Sequence, residues 1–254
     1  MNGLLLAIQF FTVLPIKKEL PLGRKEVTAM YIALPFVGAA IGAVMYAVSI
    51  LMLGVLGSGT LLTAVFVVLT GIILTGGLHL DGWADTGDAF FSYQDRDKRL
   101  EILEDPRLGA FGTMGLVLLI IVKIALFHEV LEQGLGHMAL FIALPLLARA
   151  GMNSYFATIQ SAKNKGLAYF FKGKVEASRV ILLSIVSGGA VLIGLGYLVG
   201  NVMLPLLLFA IIVVGILLFR NWSLKHFGGV TGDLLGTFIE GMEAVLWIVV
   251  LVSL

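Results

Sequence analysis

Long apolar runs dominate this chain, at residues 30 to 54, 60 to 78, 111 to 131, 138 to 159, 180 to 199 and 202 to 219. Each is close to the roughly 20 helical residues that cross a hydrocarbon core of about 30 Å. Backbone N–H and C=O groups in lipid must be paired within the protein, and a run of this length does so as a helix. The remainder of the composition agrees. Hydrophobic residues make up 59% and charged residues only 13%, against about 25% in a soluble domain, and the mean hydropathy is +1.03. The expected fold is therefore an all-α polytopic integral membrane protein. It has about seven transmembrane helices, the last formed by residues 241 to 254, in a single domain over 1 to 254. Residues 1 to 14 are apolar but too short to cross. They are expected to form an interfacial or re-entrant helix and, lacking a basic n-region and a cleavage pattern, to be retained.

Cations fix the orientation. Loops 15 to 28, 79 to 110, 160 to 179 and 220 to 240 hold 15 of the 17 Lys and Arg, and the opposite loops hold none. Cytoplasmic loops carry that excess, so these four are expected to face the cytoplasm. The two remaining cations, Lys123 and Arg149, lie inside apolar runs, where a charge costs about 2.5 to 3.5 kcal/mol on insertion scales. Both are expected to face the bundle interior. Lys123 is read as structural, and Arg149 either anchors a substrate anion or holds the bundle together. Gly38 and Gly42 form a GxxxG pair that permits close helix contact, although one such pair arises readily by chance among 31 glycines.

Half of the acids fall in one segment. Between His79 and Ala110 stand Asp81, Asp85, Asp88, Asp95, Asp97, Glu101, Glu104 and Asp105, of 16 in the whole chain. In a helix, Asp81, Asp85 and Asp88 lie within about 60° of one another, and three like charges on one stripe call for a counter-charge. A solvated face normally mixes signs. With no cysteine in the chain and no paired histidines, an oxygen-only cluster suits Mg²⁺, with Mn²⁺ as a substitute. Magnesium is typically held by one or two carboxylates plus substrate phosphates, which points to a phosphorylated substrate. His79, beside Asp81, is placed to orient a carboxylate. Near the end, GGVTGD carries Gly228, Gly229, Thr231, Gly232 and Asp233, whose glycines would admit a phosphate close to the backbone, with Glu240 seven residues beyond Asp233. Lys163, Lys165, Lys172, Lys174 and Arg179 add phosphate-attracting charge, which the cation bias of cytoplasmic loops also explains.

GGLHLDGWADTGDAFF, then LEILEDPRLGAFG, then TGD within GGVTGDLLG, in this order, resemble the adenosylcobinamide-GDP ribazoletransferase (cobalamin synthase) family. The likeness runs end to end and includes the FFTVLP start, Lys123, Arg149 and the GLAYFFKGK loop. It implies a transfer in which α-ribazole, or its 5′-phosphate, attacks the cobinamide-linked phosphate of adenosylcobinamide-GDP and displaces GMP, with Mg²⁺ required. On that reading Asp81, Asp85 and Asp88 are the catalytic carboxylates and metal ligands, with Glu101, Glu104, Asp105 or Asp233 completing the metal shell; one carboxylate serves as general base, and Arg107 and Arg149 take the diphosphate or the departing GMP. Two departures stand out. Residues 164 to 168 (NKGLA) replace an acidic pair and a second glycine, and Ala89 replaces a glycine. A CDP-alcohol phosphotransferase is the alternative within enzymes, but its DGxxAR and GxxxDxxxD signature is absent. A cation transporter would carry acids near the midplane, and the apolar runs contain no Asp. The lipid bilayer is the one further partner; nothing suggests nucleic acid, and the oligomeric state is left open, a homo-oligomer included.

Overall fold

The computed structural model describes residues 2–92 and 95–254. Met1, at the head of the first apolar stretch, and Tyr93 and Gln94, inside the acidic segment, lie outside them. Among the described residues all regular structure is helical: α1 (Asn2–Phe11), α2 (Arg24–Ile50), α3 (Thr60–Thr75), α4 (Leu78–Ser92), α5 (Arg96–Ile102), α6 (Ala110–Glu132), α7 (Met138–Thr158), α8 (Gly166–Lys172), α9 (Ala177–Val199), α10 (Met203–Phe227) and α11 (Gly232–Ser253). Among the described residues six helices are long and apolar enough to span, and the count is seven if the bent pair α3 and α4 forms one span. The protein is a multi-pass membrane protein, with α1 as the short N-terminal helix.

Helix α7 is the hub. Its most apolar stretch is 83% buried within the protein, whereas those of α6 and α10 are 17% buried and keep their apolar surface outward, as lipid contact requires. Helices α2, α9, α10 and α11 all pack on α7. The Gly38/Gly42 pair lies at the α2–α7 contact, where a Cβ on Gly38 would come within 2.7 Å of the Pro145 carbonyl oxygen and one on Gly42 would run into the Phe141 carbonyl.

The acidic segment begins at a break. Gly76 (φ 63°) and Gly77 (φ 73°) are both left-handed, a conformation that glycine adopts without steric cost, and α4 leaves α3 at 92°. Their N–H groups close the end of α3 onto Ile73 and Ile72 carbonyls at 3.1 and 3.0 Å. Residues 220 to 240 differ most from expectation, because they are not a loop. Helix α10 continues to Phe227 and α11 already starts at Gly232, so only residues 228–231 connect them. The last span therefore begins nine residues earlier than its apolar tail, residues 241 to 254, suggests. Its first turns bury Gly236, Thr237 and Glu240 against other helices, and such residues lower the hydropathy that marks a span.

Candidate active site

Three chain segments meet where α11 begins. The 228–231 turn runs beside residues 160–162, with the Val230 N–H donating to the Gln160 carbonyl (2.9 Å) and the Ala162 N–H to the Val230 carbonyl (3.0 Å). Gln160 Nε2 adds a bond to the Gly228 carbonyl at 2.8 Å. Gly229 is needed for this approach, since a Cβ there would lie 2.5 Å from the Gln160 carbonyl oxygen and 2.6 Å from the Ala162 nitrogen. The Thr231 side chain caps α11 by accepting from the Leu234 N–H, which sets Asp233 in the first turn.

Helix α4 lies against α11 through glycines on both sides. A Cβ on Gly82 would stand 2.6 Å from the Asp233 carbonyl oxygen, and one on Gly236 would stand 2.9 Å from the His79 carbonyl oxygen. The Thr237 hydroxyl lies 2.9 Å from the Gly82 carbonyl oxygen and 2.8 Å from the Thr86 hydroxyl. These contacts bring Asp81 and Asp233 to one cavity of about 550 Å³, together with His79, Glu104, Lys163 and Lys165. Lys163 and Lys165 both hold Glu104, at 3.0 and 2.9 Å, and Lys163 also donates to the Leu100 carbonyl at 2.8 Å. Those bonds, Lys165 first and then Lys163, hold the Glu104 carboxyl below the usual carboxylate range. A negative group thus already occupies the lysine pair at the cavity rim.

With that geometry in place, comparison with known sequences is decisive. A family profile described as cobalamin-5-phosphate synthase matches residues 3–251. The chain belongs to this family. It is similar to an adenosylcobinamide-GDP ribazoletransferase of Geobacillus thermodenitrificans (strain NG80-2), with 36% identity over 253 residues, covering 98% of this chain and 95% of that one. The corresponding protein of Clostridioides difficile (strain 630) is 31% identical over 249 residues, covering 96% and 95%. That of Acinetobacter baumannii is 34% identical over 259 residues, covering 98% and 96%. No solved structure matches.

The structure separates the acids and cations of this cobalamin-5-phosphate synthase family member into distinct groups. Asp81 is exposed at the cavity, and Asp85, one turn further along α4, is half-buried and within electrostatic reach of Asp81, Asp233 and Asp88. Asp88 points elsewhere. Its two carboxylate oxygens accept from the Gly109 N–H (2.8 Å) and the Gly112 N–H (3.2 Å), capping the start of α6. Asp88→Ala is expected to leave these buried donors unpaired and to cost about 1 to 3 kcal/mol, read as a lowered midpoint of thermal unfolding in detergent. An unchanged midpoint would remove the capping role. Glu101 is exposed and pairs with Lys98 at 3.2 Å. Asp105 and Arg107 pair with each other, with two guanidinium contacts of 2.9 and 2.7 Å, which brings the Asp105 carboxyl down to about 2. Gly228 turns onto the Arg96 guanidinium and Gly229 onto the 160–162 backbone, so Val230 and Thr231 of the turn, with Gly232 at the start of α11, are the residues that line the cavity.

Arg149 and Glu240 stand apart from that cavity. Arg149, 2% exposed, donates to Glu243 at 2.6 Å and to the Pro145 carbonyl at 3.0 Å. Lys123 binds Glu240 and lies 3.6 Å from Glu243. The result is a buried set of two cations and two anions in α6, α7 and α11, around a small space of about 40 Å³. The apolar crossing therefore does contain acids, both already paired with cations. Glu243 was missed in the sequence; its signal is its place one turn beyond Glu240, on the same side of α11.

Proposed function

We propose that this protein is an adenosylcobinamide-GDP ribazoletransferase acting at the cytoplasmic face of a prokaryotic inner membrane. It transfers the adenosylcobinamide-phosphate moiety to α-ribazole or its 5′-phosphate and releases GMP, the step that completes the cobalamin nucleotide loop. The observation that best supports the chemistry is the placement of two carboxylates, Asp81 and Asp233, opposite two lysines, Lys163 and Lys165, in one cavity.

Phosphoryl transfer of this kind asks for positioning and charge neutralisation more than for covalent help from the protein. Lys163 and Lys165 would exchange Glu104 for the donor's phosphate oxygens. Asp81 would accept the proton of the attacking ribose hydroxyl, or orient it, while the oxygen–phosphorus bond forms and the bond to GMP breaks. Among the described residues no three His, Asp or Glu side chains stand close enough to enclose a metal ion. The oxygen donors of Asp81, Asp85 and Asp233 nevertheless fit a hard cation that takes one or two carboxylates and completes its shell with phosphate oxygens. Bound there, Mg²⁺ would supply a Lewis acid that neutralises charge on the transferring phosphate.

Purified protein in lipid, given adenosylcobinamide-GDP, α-ribazole and Mg²⁺, is expected to release GMP only when both organic substrates are present, and to stop when the metal is chelated. GMP release without the ribazole, or none in an active lipid preparation, would remove this reading.

A further inference from the structure

A second cavity lies away from the candidate active site. Helices α4 and α10 both pack on α11 and leave a groove over it of about 420 Å³. Gly215 of α10 and Gly241 of α11 lower its floor, Trp83 of α4 forms one wall, and Phe219 and Trp222 of α10 belong to the other. The polar atoms in this lining are largely spent inside the protein. The Trp83 indole N–H donates to the Gly115 carbonyl at 3.0 Å, and the Thr237 hydroxyl is engaged with the Gly82 carbonyl and the Thr86 hydroxyl. What remains is apolar surface. The groove's edges, Leu218 and Val245, are exposed within membrane-spanning helices, so it opens to hydrocarbon rather than to water.

Its length and its end restrict the occupant. Along α10 the groove runs from Ile211 to Trp222, about 16 Å of helix, which is close to half of a hydrocarbon core of about 30 Å. That is the depth of one leaflet. Lys225 continues the stripe of Ile211, Gly215, Leu218 and Trp222 one turn further toward the 228–231 turn, and it is exposed and forms no ion pair among the described residues. A tryptophan with a lysine one turn beyond it suits the boundary between hydrocarbon and headgroups, where the ring lies at the interface and the ammonium reaches the phosphates.

We propose that this groove is a binding site for one phospholipid with an anionic headgroup, an acyl chain lying over Gly215 and Gly241 and the headgroup at Lys225. An apolar slot of leaflet depth that ends in an unpaired cation matches both parts of such a molecule. Seated there, the lipid touches α4 and α11 together, the two helices whose packing brings Asp81 and Asp233 to one cavity.

Intrinsic fluorescence tests the site without any substrate. Two of the three tryptophans, Trp83 and Trp222, line the groove, and the third, Trp247, is buried elsewhere. In phosphatidylcholine vesicles, phosphatidylglycerol brominated on its acyl chains is expected to reach half of its quenching at a mole fraction about 5-fold lower than brominated phosphatidylcholine, the weight of one lysine against an anionic headgroup. Lys225→Glu, a change on the exposed surface, should bring the two lipids level. Gly215→Leu, which fills the groove and meets only the flexible end of Met242, should abolish the early quenching by phosphatidylglycerol. Equal quenching by the two lipids in wild type, or a preference that survives both substitutions, would overturn the proposal. So would weak quenching by both lipids together with a dimer in native mass spectrometry that Gly215→Leu dissociates, since the groove would then hold a second copy of the chain.

Discussion

Asp81→Asn is expected to lower GMP release by roughly 10³-fold, the range seen when a proton acceptor or a charge-stabilising group is removed from a reacting centre. The substitution keeps the shape of the side chain, and Asp81 is exposed at the cavity with no ion pair among the described residues, so membrane insertion and thermal unfolding should match wild type. Glu104→Gln makes the informative contrast. Glu104 is held by Lys163 and Lys165, so losing its charge releases both lysines toward the donor's phosphates, and activity should persist with an unchanged or lower donor KM. If the Asp81 variant turns over at a tenth of the wild-type rate or better, Asp81 is not essential. If the Glu104 variant is the inactive one, Glu104 belongs among the reacting groups.

The second large effect concerns stability. Arg149→Met leaves Lys123 as the single cation among the described residues that faces Glu240 and Glu243 in the bundle interior, and breaking a buried pair in this way costs about 3 to 5 kcal/mol. Pairing it with Glu243→Leu removes one charge of each sign and leaves Lys123 on Glu240. The double variant should therefore recover most of the loss, because replacing a buried pair by apolar groups is often neutral. Thermal unfolding of the three proteins in the same detergent measures both. A double variant as unstable as Arg149→Met would show that the arginine acts through packing or through its bond to the Pro145 carbonyl rather than through charge balance.

The crossings are legible in the sequence because lipid imposes one rule on any residue facing it, and the runs that became α2, α6, α9 and α10 obey that rule over most of their surface. Legibility fails where a helix faces protein instead. Helix α4 and the start of α11 carry Gly82, Gly236, Thr237 and Glu240 at their mutual and neighbouring contacts, and this mixture reads as a loop although it is closely packed helix. The 92° turn between α3 and α4 is announced by two consecutive glycines, but its angle is not. In the site, the stripe of Asp81, Asp85 and Asp88 follows from helical spacing. The separate task of Asp88 does not, since its partners are backbone N–H groups 21 and 24 residues away with no side-chain signature. Arg149 had two readings, and Glu243, 94 residues distant, gives it the structural surroundings of the second. The cavity itself arises from the bridging of residues 160–162 to the 228–231 turn, a pairing that no local pattern foretells.

The order of synthesis gives the buried quartet a consequence beyond the finished fold. Helices α6 and α7 are translated well before α11, so Lys123 and Arg149 are made before Glu240 and Glu243, the acids that neutralise them. Until the final segment arrives the nascent bundle holds two orphan cations, and the same segment brings Asp233 to the cavity. Electrical completion of the interior and closure of the cavity thus both wait for the same last helix.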